Sequence, residues 1–277
     1  MPFAPGYDIV GVVESSGDHF KVGDVVAALT VTGGYSQYIV VPEAELVAVP
    51  AGLDPAEAVC LVLNYTTAYQ MLHRIAKVKK GARLLVHGAA GGVGTAVIQL
   101  GRLAGLEMYG TASRGKQDLI RSLGATPIDY TSEDFVTAVC DATGRGVDVV
   151  LDPIGGSYFM RSFRTLRPGG KLIGYGVSAA ITNHRANMLV GLGSLAMLSF
   201  LNVTSINRSA TWFNVTSLKK KHLDWFREDL GVLMQLLADK KLQPQVAYRL
   251  ELKDAARAHE LLENAAVEGK IILLPQV

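Results

Sequence analysis

The sequence predicts an α/β fold built on a doubly wound parallel sheet, joined to a smaller β-rich region formed by the two ends of the chain. Three observations support this prediction. Residues 84–103 combine an apolar run, spaced glycines and a helical pattern; strand-like and helix-like segments then alternate up to residue 176; and short β segments fill residues 1–55. Alternation at this spacing is typical of parallel strands that are covered by helices on both faces.

The two terminal regions lie outside this alternation. Residues 1–55 contain IVGVVESSG, DVVAALTVTGG and YSQYIVVPEAELVAVP, separated by Gly, Asp and Pro turns, and the first helix is predicted to start at Asp54–Pro55. The C-terminal segment LQPQVAYRLELKDAARAHELLENAAVEGKIILLP returns to strand, helix and strand. We therefore predict one domain from residues 1–58 and 243–277, with a second domain of residues 59–242 inserted between them.

The segment LLVHGAAGGVG carries the clearest functional signal. Its apolar run predicts a buried strand, and Gly88, Gly91 and Gly94 follow at three-residue spacing before a helical pattern begins. Glycines allow a tight turn and a close approach of the backbone, and a helix N-terminus presents N–H groups and a positive dipole end to phosphate. The segment therefore predicts a site for a dinucleotide pyrophosphate.

The segments after the glycine turn continue the alternation. GLEMYGTAS is a predicted strand and KQDLIRSLGA a helix that ends at Gly124; TPIDY is a short extended segment, and SEDFVTAVCDATG is a helix with Ser132 as cap and Gly144 as stop. VDVVLDPIGG is a third strand. SYFMRSFRTLRPGG is predicted to be a helix that stops at residues 168–170, and KLIGYG is a fourth strand.

The end of the second strand indicates which nucleotide is bound. Dinucleotide sites that select NAD place an acidic residue there, on the ribose 2′-hydroxyl. Here the strand is followed by Ser113, Arg114, Gly115 and Lys116, with no acid. A hydroxyl and two cations suit a 2′-phosphate, although a polar loop with incidental cations is the alternative. The prediction is NADPH.

The composition limits the classes of partner and the cellular compartment that are expected. The net charge of +2 gives no electrostatic signature for nucleic acid, and the basic run at residues 219–221 is interpreted as a solvated helix start. Two cysteines, Cys60 and Cys140, suit a reducing compartment, and the N-terminal residues show no secretion signal, so a cytoplasmic location is expected.

An apolar stretch at residues 188–201, MLVGLGSLAMLSFL, is too short to cross a bilayer. It is interpreted as a buried or interface helix. The alternatives are a lid over an apolar substrate or a contact with a membrane surface.

These motifs resemble, in order, those of the zinc-independent branch of the medium-chain dehydrogenase/reductase superfamily, the quinone oxidoreductase group. PFAPGYDIVGVVESSG, GGYSQYIVVP, NYTTAYQML, HGAAGGVG, GTASRGK, IDY, LDPIGG, LRPGGKLIGYG and EGKIILLP carry the resemblance. NYTTAY with LDPIGGS is especially similar to the vesicle amine transport protein 1-like subgroup. The resemblance implies a doubly wound parallel Rossmann sheet (59–242, binding NADP) inserted in a truncated GroES-like catalytic β domain (1–58 plus 243–277).

The resemblance also implies roles for individual residues, in catalysis for Tyr7 and Asn64 and in cofactor binding for a larger set. For the phosphates, the resemblance implies that the pyrophosphate is bound by Ala90, Gly91, Gly92 and Val93, with Gly94 allowing close helix packing, and that the 2′-phosphate is surrounded by Ser113, Arg114, Lys116 and Tyr130. For the rest of the cofactor, it implies that the nicotinamide side lies near Asn64 and Thr67, the adenosine is lined by Pro153, Ile154 and Gly155, and the nicotinamide ribose lies along Tyr175, Gly176 and Val177.

No metal is expected by the same resemblance. Tyr7–Asp8 stands where the zinc-dependent relatives carry a His–Glu pair, and Leu63 stands where they carry a catalytic cysteine, which leucine cannot replace as a ligand.

The match to the family also begins late, since family members carry a further segment before the one that resembles PFAPG. We therefore expect an N-terminally shortened β domain and a substrate cleft that lacks one wall.

The expected activity is NADPH-dependent reduction of a quinone or an α,β-unsaturated carbonyl, an electrophilic small molecule, by hydride transfer without metal. The developing enolate needs a hydrogen-bond donor. Tyr7 is the candidate for a polar group that faces the reaction centre, and Asn64 is the candidate for orienting the nicotinamide or the carbonyl; a structural tyrosine and a helix cap are the respective alternatives. A second hypothesis is an NADPH-binding protein with little or no turnover, acting through protein or membrane partners.

Residues 210–217 are predicted to form an edge strand that pairs in a homodimer.

Overall fold

The computed structural model describes residues 3–182, 185–264 and 266–275. Its strands are β1 (Asp8–Val12), β2 (Val25–Leu29), β3 (Val47–Ala48), β4 (Arg83–His87), β5 (Glu107–Ala112), β6 (Thr126–Asp129), β7 (Val147–Asp152), β8 (Leu166–Gly174), β9 (Ile181–Thr182), β10 (Arg185–Ala186), β11 (Ser209–Trp212), β12 (Val246–Glu251) and β13 (Lys270–Leu274).

The helices are α1 (Pro55–Cys60), α2 (Thr66–Tyr69), α3 (Gly92–Leu103), α4 (Gln117–Leu123), α5 (Phe135–Thr143), α6 (Ser157–Arg164), α7 (Met188–Thr204), α8 (Val215–Lys221), α9 (Leu223–Ala238) and α10 (Ala255–Glu263). Two π-helical turns, Leu61–Tyr65 and Gln70–Ala76, adjoin α2.

The chain divides into two compact units. The terminal unit consists of Met1–Gln70, Gly91–Ala96 and Val215–Val277, and the central unit of Met71–Ala90 and Val97–Asn214. Residues 59–70, 91–96 and 215–242 thus fall in the same unit as the chain ends. Because a division by compactness is not a division by fold, the predicted domain bounds stay a prediction.

A six-stranded parallel sheet forms the frame of the central unit. Its strand order is β11-β8-β7-β4-β5-β6, and every neighbouring pair is parallel. Successive strands therefore run outward from β4 in one direction and from β7 in the other, with the change of direction between these two strands. This is the doubly wound arrangement that the alternating pattern predicts, in which ligands bind at the carboxyl ends of the strands beside the change of direction.

Buried strand residues and three helices, α5, α6 and α7, build the core of this unit. Leu85, Val150 and Leu172 come from three neighbouring strands and are fully buried. Phe159 of α6 and Leu198 of α7 belong to the same apolar cluster. Parallel strands covered on both faces require such continuous apolar runs.

The terminal unit contains the small β structure. Strands β1, β2 and β3 form an antiparallel sheet in that order, and β12 and β13 form a separate parallel pair. The expected β-rich part drawn from both ends of the chain is therefore present. The predicted helix start is confirmed as well, because the Asp54 side chain caps α1 by accepting from Ala56 N at 3.0 Å.

Local boundaries differ from the predictions in two places. The cap of α5 is Asp134, which accepts from Thr137 N at 3.0 Å, and not Ser132. Helix α6 ends at Arg164, so residues 168–170 do not stop it; they lie within β8, where the register with β7 shifts. Such an irregularity accommodates a proline that cannot donate a ladder hydrogen bond.

The segment around residues 209–221 also departs from expectation. An edge strand is present, but it spans only Ser209–Trp212, and α8 begins at Val215. The three lysines end α8 rather than start a helix, a position favoured by the helix dipole. Lys219 is buried in the terminal unit, where it forms an ion pair with Glu45 and donates to Leu29 O at 2.7 Å. The interpretation as a solvated run is therefore wrong for Lys219.

The apolar stretch at residues 188–201 lies within α7. Its inner face is buried through Ser194, Leu198 and Leu201, whereas Leu189 and Val203 are more than four-fifths exposed. In the part of the chain that the structure describes, no helix is both long and apolar enough to span a membrane.

Candidate functional site

The first part of the glycine turn lies in the central unit. Strand β4 ends at His87, and Gly88 turns the chain in the left-handed region at a φ of 65°. Ala89 N then donates to Thr111 O of β5 at 3.0 Å. A Cβ on Gly88 would lie 3.7 Å from Pro153 Cγ, so this turn packs against the loop that follows β7.

The loop after β7 is held by the last residue of that strand. Asp152 is fully buried, and its Oδ1 accepts from Ile154 N at 2.7 Å and from Gly155 N at 3.2 Å. Gly155 and Gly156 have φ values of 76° and 58°. Because side chains disfavour this region, glycine is the residue that lets the chain reverse here.

The loop after β8 lies directly on the loop after β7. Tyr175 N donates to Asp152 O at 3.0 Å, and a Cβ on Gly176 would lie only 2.6 Å from Pro153 O. A Cβ on Gly155 would meet Val177 Cγ1 at 3.2 Å. The structure thus brings together two groups of predicted site residues, 153–155 and 175–177, and burial raises the pKa of Tyr175, which keeps its hydroxyl neutral.

The loop after β5 carries the cationic residues. Ser113 precedes a short 3₁₀ turn, Arg114–Lys116, and the Arg114 side chain is 89% exposed. Its Nε lies 4.0 Å from Oδ2 of Asp129, the last residue of β6. Hydrogen bonds from Thr131 hold the pKa of Asp129 below its usual range. Tyr130, half exposed, follows at the end of the neighbouring strand, so the residues predicted for the 2′-phosphate share one edge of the sheet.

The second half of the glycine turn lies in the terminal unit. Gly91 forms a parallel bridge with Gly269, and Thr95 N donates to Gly91 O at 2.9 Å in the first turn of α3, which contains Val93 and Gly94. A Cβ on Gly92 would overlap the amide of Asn64, so Gly92 and Asn64 are in direct contact. Ala90, just before this segment, is buried in the central unit.

Asn64 and Thr67 lie on the same nearly continuous helix. Asn64 belongs to the π-helical turn Leu61–Tyr65, and Thr67 to α2, and both side chains are buried in the terminal unit. Asn64 therefore lies inside a helix and does not cap one. π-helical turns are frequent at functional sites.

Tyr7 immediately precedes β1 in the same unit. Its carbonyl accepts from Thr30 N at 2.8 Å, and its side chain is 49% exposed. The neighbouring Asp8 forms a largely buried ion pair with Lys270. The sequence did not single out Lys270, although the motif EGKIILLP that contains it was recognised.

Sequence reasoning also missed a buried polar group in the central unit. His87 and Asp152 end two neighbouring strands, and Ser162 of α6 lies between their side chains. The available signal was a polar residue directly after an apolar run, in LLVH and VVLD.

Comparison with known proteins identifies the family. A model of the zinc-binding dehydrogenase family matches residues 123–273, and a model of the alcohol dehydrogenase GroES-like domain matches residues 1–51. A 2-haloacrylate reductase from a Burkholderia species is 33% identical over 284 residues, which cover 99% of this chain and 82% of that protein. The chain belongs to the quinone oxidoreductase group of the medium-chain dehydrogenase/reductase superfamily.

Two further members show how far the likeness extends. The synaptic vesicle membrane protein VAT-1 homolog of Danio rerio is 32% identical over 280 residues, covering 98% of this chain. This chain spans only 58% of the length of that relative. The structure of Escherichia coli quinone oxidoreductase in complex with NADPH matches with a TM-score of 0.85 at 28% identity, covering 99% of this chain and 83% of that chain.

The name of the matching family model, zinc-binding dehydrogenase, does not by itself show that this chain binds zinc. Among residues 3–182, 185–264 and 266–275, no group of three or more His, Cys, Asp or Glu side chains is placed to hold a metal ion. Zinc independence itself stays a prediction that rests on Leu63 and Tyr7–Asp8.

Proposed function

We propose that this chain is an NADPH-dependent oxidoreductase that reduces quinones or α,β-unsaturated carbonyls by hydride transfer, without a metal. The observation that carries the proposal is the carboxyl edge of the central sheet. There, glycine-rich loops follow β4 and β7, and a hydroxyl and two cations follow β5, of which Arg114 is exposed. The NADPH bound by the Escherichia coli relative supports the same cofactor here.

The residues present fit this cofactor. At Gly176 a Cβ would lie 2.6 Å from Pro153 O, so glycine is the residue that lets the loops after β7 and β8 pack closely at this edge. Arg114 presents its guanidinium to solvent, where it can form charge-assisted hydrogen bonds with a 2′-phosphate. The N–H groups of residues 90–93 and the N-terminus of α3 are proposed to bind the pyrophosphate.

The protein orients the reactants and supplies hydrogen bonds. When bound, NADPH supplies the hydride that the acceptor receives. We assign the Asn64 amide to orienting the nicotinamide or the acceptor carbonyl, and the Tyr7 hydroxyl to donating a hydrogen bond to the oxygen on which negative charge develops. Leu63 offers no atom that could ligate a polarising metal, which supports a route without one.

A direct test separates binding from turnover. NADPH and NADH affinities are measured by the change in nicotinamide fluorescence, and NADPH consumption is then followed with a quinone and with an alkenal. We expect tighter binding of NADPH than of NADH and consumption with at least one acceptor. Equal affinities would contradict the cofactor assignment, and binding without any consumption would contradict the proposed reaction.

A second candidate is an NADPH-binding protein with little turnover that acts at a membrane surface. Leu189, Leu192, Phe200 and Val203 of α7 are all exposed and fall on one face of the helix, where a single bilayer interface can bury them together. The name of the VAT-1 relatives, synaptic vesicle membrane protein, supports a membrane as the partner of this face. Co-sedimentation with phosphatidylcholine vesicles, with and without phosphatidylserine, tests it; Leu192→Asp is expected to abolish sedimentation, and a wild-type protein that stays in the supernatant would contradict it.

We also propose a homodimer that pairs through the edge strand β11. Trp212 on this strand is partly exposed, and an edge strand offers unpaired backbone groups to a second copy. Sedimentation equilibrium is expected to give twice the chain mass, and a monomer at micromolar concentration would contradict the proposal.

A further inference from the structure

His87 lies at the centre of a buried hydrogen-bonded chain in the central unit. Its Nδ1 is 2.9 Å from Thr111 Oγ1, and its Nε2 is 3.0 Å from Ser162 Oγ. The imidazole is fully buried, with its edge against the ring of Phe135 at a centroid distance of 4.6 Å. Every polar atom of the ring is thus occupied by a hydroxyl.

The chain continues from Ser162 to the loop after β7. Ser162 Oγ donates to Asp152 Oδ2 at 2.7 Å. The other carboxylate oxygen, Oδ1, accepts from the backbone of Ile154 and Gly155. Four side chains therefore connect the end of β5, the end of β4, α6 and the loop at residues 153–155.

The chemistry of these groups determines where each proton lies. A hydroxyl has one hydrogen, and Ser162 uses it on Asp152, so its oxygen can only accept from His87 Nε2–H. Burial lowers the pKa of His87, with Asp152 opposing and Arg161 adding to this effect, so the ring is neutral near pH 7. A neutral ring carries one hydrogen; Nδ1 must therefore accept, and Thr111 must donate.

We infer that Thr111, His87, Ser162 and Asp152 form a one-directional hydrogen-bond relay that holds the Ile154–Gly155 loop in its ligand-binding shape, with His87 as a positioning residue. Its consequence for NADPH rests on the proposed function. Each donor in the relay polarises the next in a buried environment, which strengthens the final bonds to Asp152. The N–H groups of Ile154 and Gly155 then donate to a carboxylate whose position is fixed by Ser162. The loop cannot rotate without losing both of these backbone hydrogen bonds.

The direction of the relay can be reversed by a single substitution. In Asp152→Asn, the side-chain oxygen can still accept from Ile154 and Gly155, but its NH₂ group must donate to Ser162. Ser162 must then donate to His87 Nε2, which moves the ring hydrogen to Nδ1. The same change at Asp118, whose side chain is 98% exposed and pairs with Arg121, is the matched control.

The first measurement is the tautomer of His87, by ¹⁵N NMR of the full chain at pH 7.5, with the resonance assigned by its loss in His87→Gln. We expect the Nε2–H form in the wild type and in Asp118→Asn, and the Nδ1–H form in Asp152→Asn. A wild-type ring in the Nδ1–H form, or an unchanged tautomer in Asp152→Asn, would overturn the relay.

The second measurement reads the loop itself without any ligand. Ser162→Ala cuts the relay between His87 and Asp152 and also serves if Asp152→Asn does not fold. We expect amide hydrogen exchange at Ile154 and Gly155 to become about tenfold faster in Ser162→Ala and to stay unchanged in Asp118→Asn. Unchanged exchange in Ser162→Ala would overturn the positioning role.

Cofactor binding then distinguishes the two proposals. We expect the Kd for NADPH to rise about tenfold in Ser162→Ala, as for a lost buried hydrogen bond. An unchanged Kd with faster loop exchange would overturn the consequence for the cofactor. A wild type that does not bind NADPH contradicts the proposed function, whereas the tautomer and the exchange rates still decide the relay.

Discussion

Two loops at the carboxyl edge of the same sheet are built in opposite ways. The loop after β5 projects Arg114 into solvent, with the carboxylate of Asp129 4.0 Å from its Nε. The loop after β7 is held by Asp152, which accepts three hydrogen bonds inside the protein. The first loop thus presents an exposed charge, which we propose is used on a ligand, whereas the second has a fixed backbone shape.

This difference separates specificity from stability. An exposed cation contributes little to folding, because water screens it, but it can be decisive for a ligand that brings a phosphate. A buried carboxylate with three donors contributes much to folding, because each donor would otherwise lose its partner. Substitutions in the two loops should therefore affect different measurements.

The largest effect is expected for Asp152→Ala. This variant leaves two backbone N–H groups and the Ser162 hydroxyl without their acceptor, so the free energy of unfolding should fall by about 3 kcal/mol or more. Urea unfolding measures it. Asp118→Ala, the exposed control, should stay within about 0.5 kcal/mol of the wild type; equal losses in both variants would remove the distinction between the loops.

Two glycines allow the packing of the two loops to be compared. Gly176 lies in the loop after β8 and packs against Pro153 of the loop after β7. In Gly176→Ala the new Cβ meets Pro153 O at 2.6 Å, and because Pro153 O is a backbone atom that cannot turn aside, we expect a loss of about 1–3 kcal/mol in stability. Gly115, in the loop after β5, has open space around the same position, so Gly115→Ala should change stability by less than about 0.5 kcal/mol. Thermal melting of both variants checks this, and a Gly176→Ala protein as stable as Gly115→Ala would contradict the packing.

Arg114→Ala should change binding without changing stability. Loss of a charge-assisted hydrogen bond is expected to raise the Kd for NADPH about tenfold while leaving the Kd for NADH unchanged. The control is Arg145→Ala, since Arg145 is also an exposed arginine but lies just before β7 begins, at the opposite edge of the sheet. Equal weakening of NADPH and NADH would show that Arg114 does not contact the 2′-phosphate.

His87 should add a pH dependence to the stability of the second loop's support, an effect that is absent at neutral pH. Its pKa is lowered in the folded state, so below the unfolded value of about 6.5 the unfolded chain binds a proton that the folded chain does not. Stability should therefore fall as pH drops through 6.5, by up to about 1.4 kcal/mol per pH unit, and be unaffected by His87 above pH 7.5. Unfolding of wild type and His87→Gln between pH 5 and 8 should show a shallower acid slope in the variant; identical slopes would contradict a buried neutral ring.

Much of the central fold follows from local sequence. The apolar runs at 84–86 and 149–151 and the glycines that end the helices predict parallel strands and crossovers, because strand burial and left-handed turns depend on nearby residues. Boundaries were less accurate. Residues 168–170 look like a helix stop, yet β7 pairs with the segment on both sides of them, and that pairing comes from a distant part of the chain.

The candidate site divides in the same way. The sequence by itself determined the glycine turn, the cations after β5 and the order of strands and helices, since each depends on residue types that are adjacent in the chain. Only the tertiary structure decided that Lys219 is buried, that Asn64 packs on Gly92, and that hydrogen bonds join His87, Ser162 and Asp152. These outcomes depend on groups many residues apart, because a buried polar atom is stable only where the fold brings it a partner.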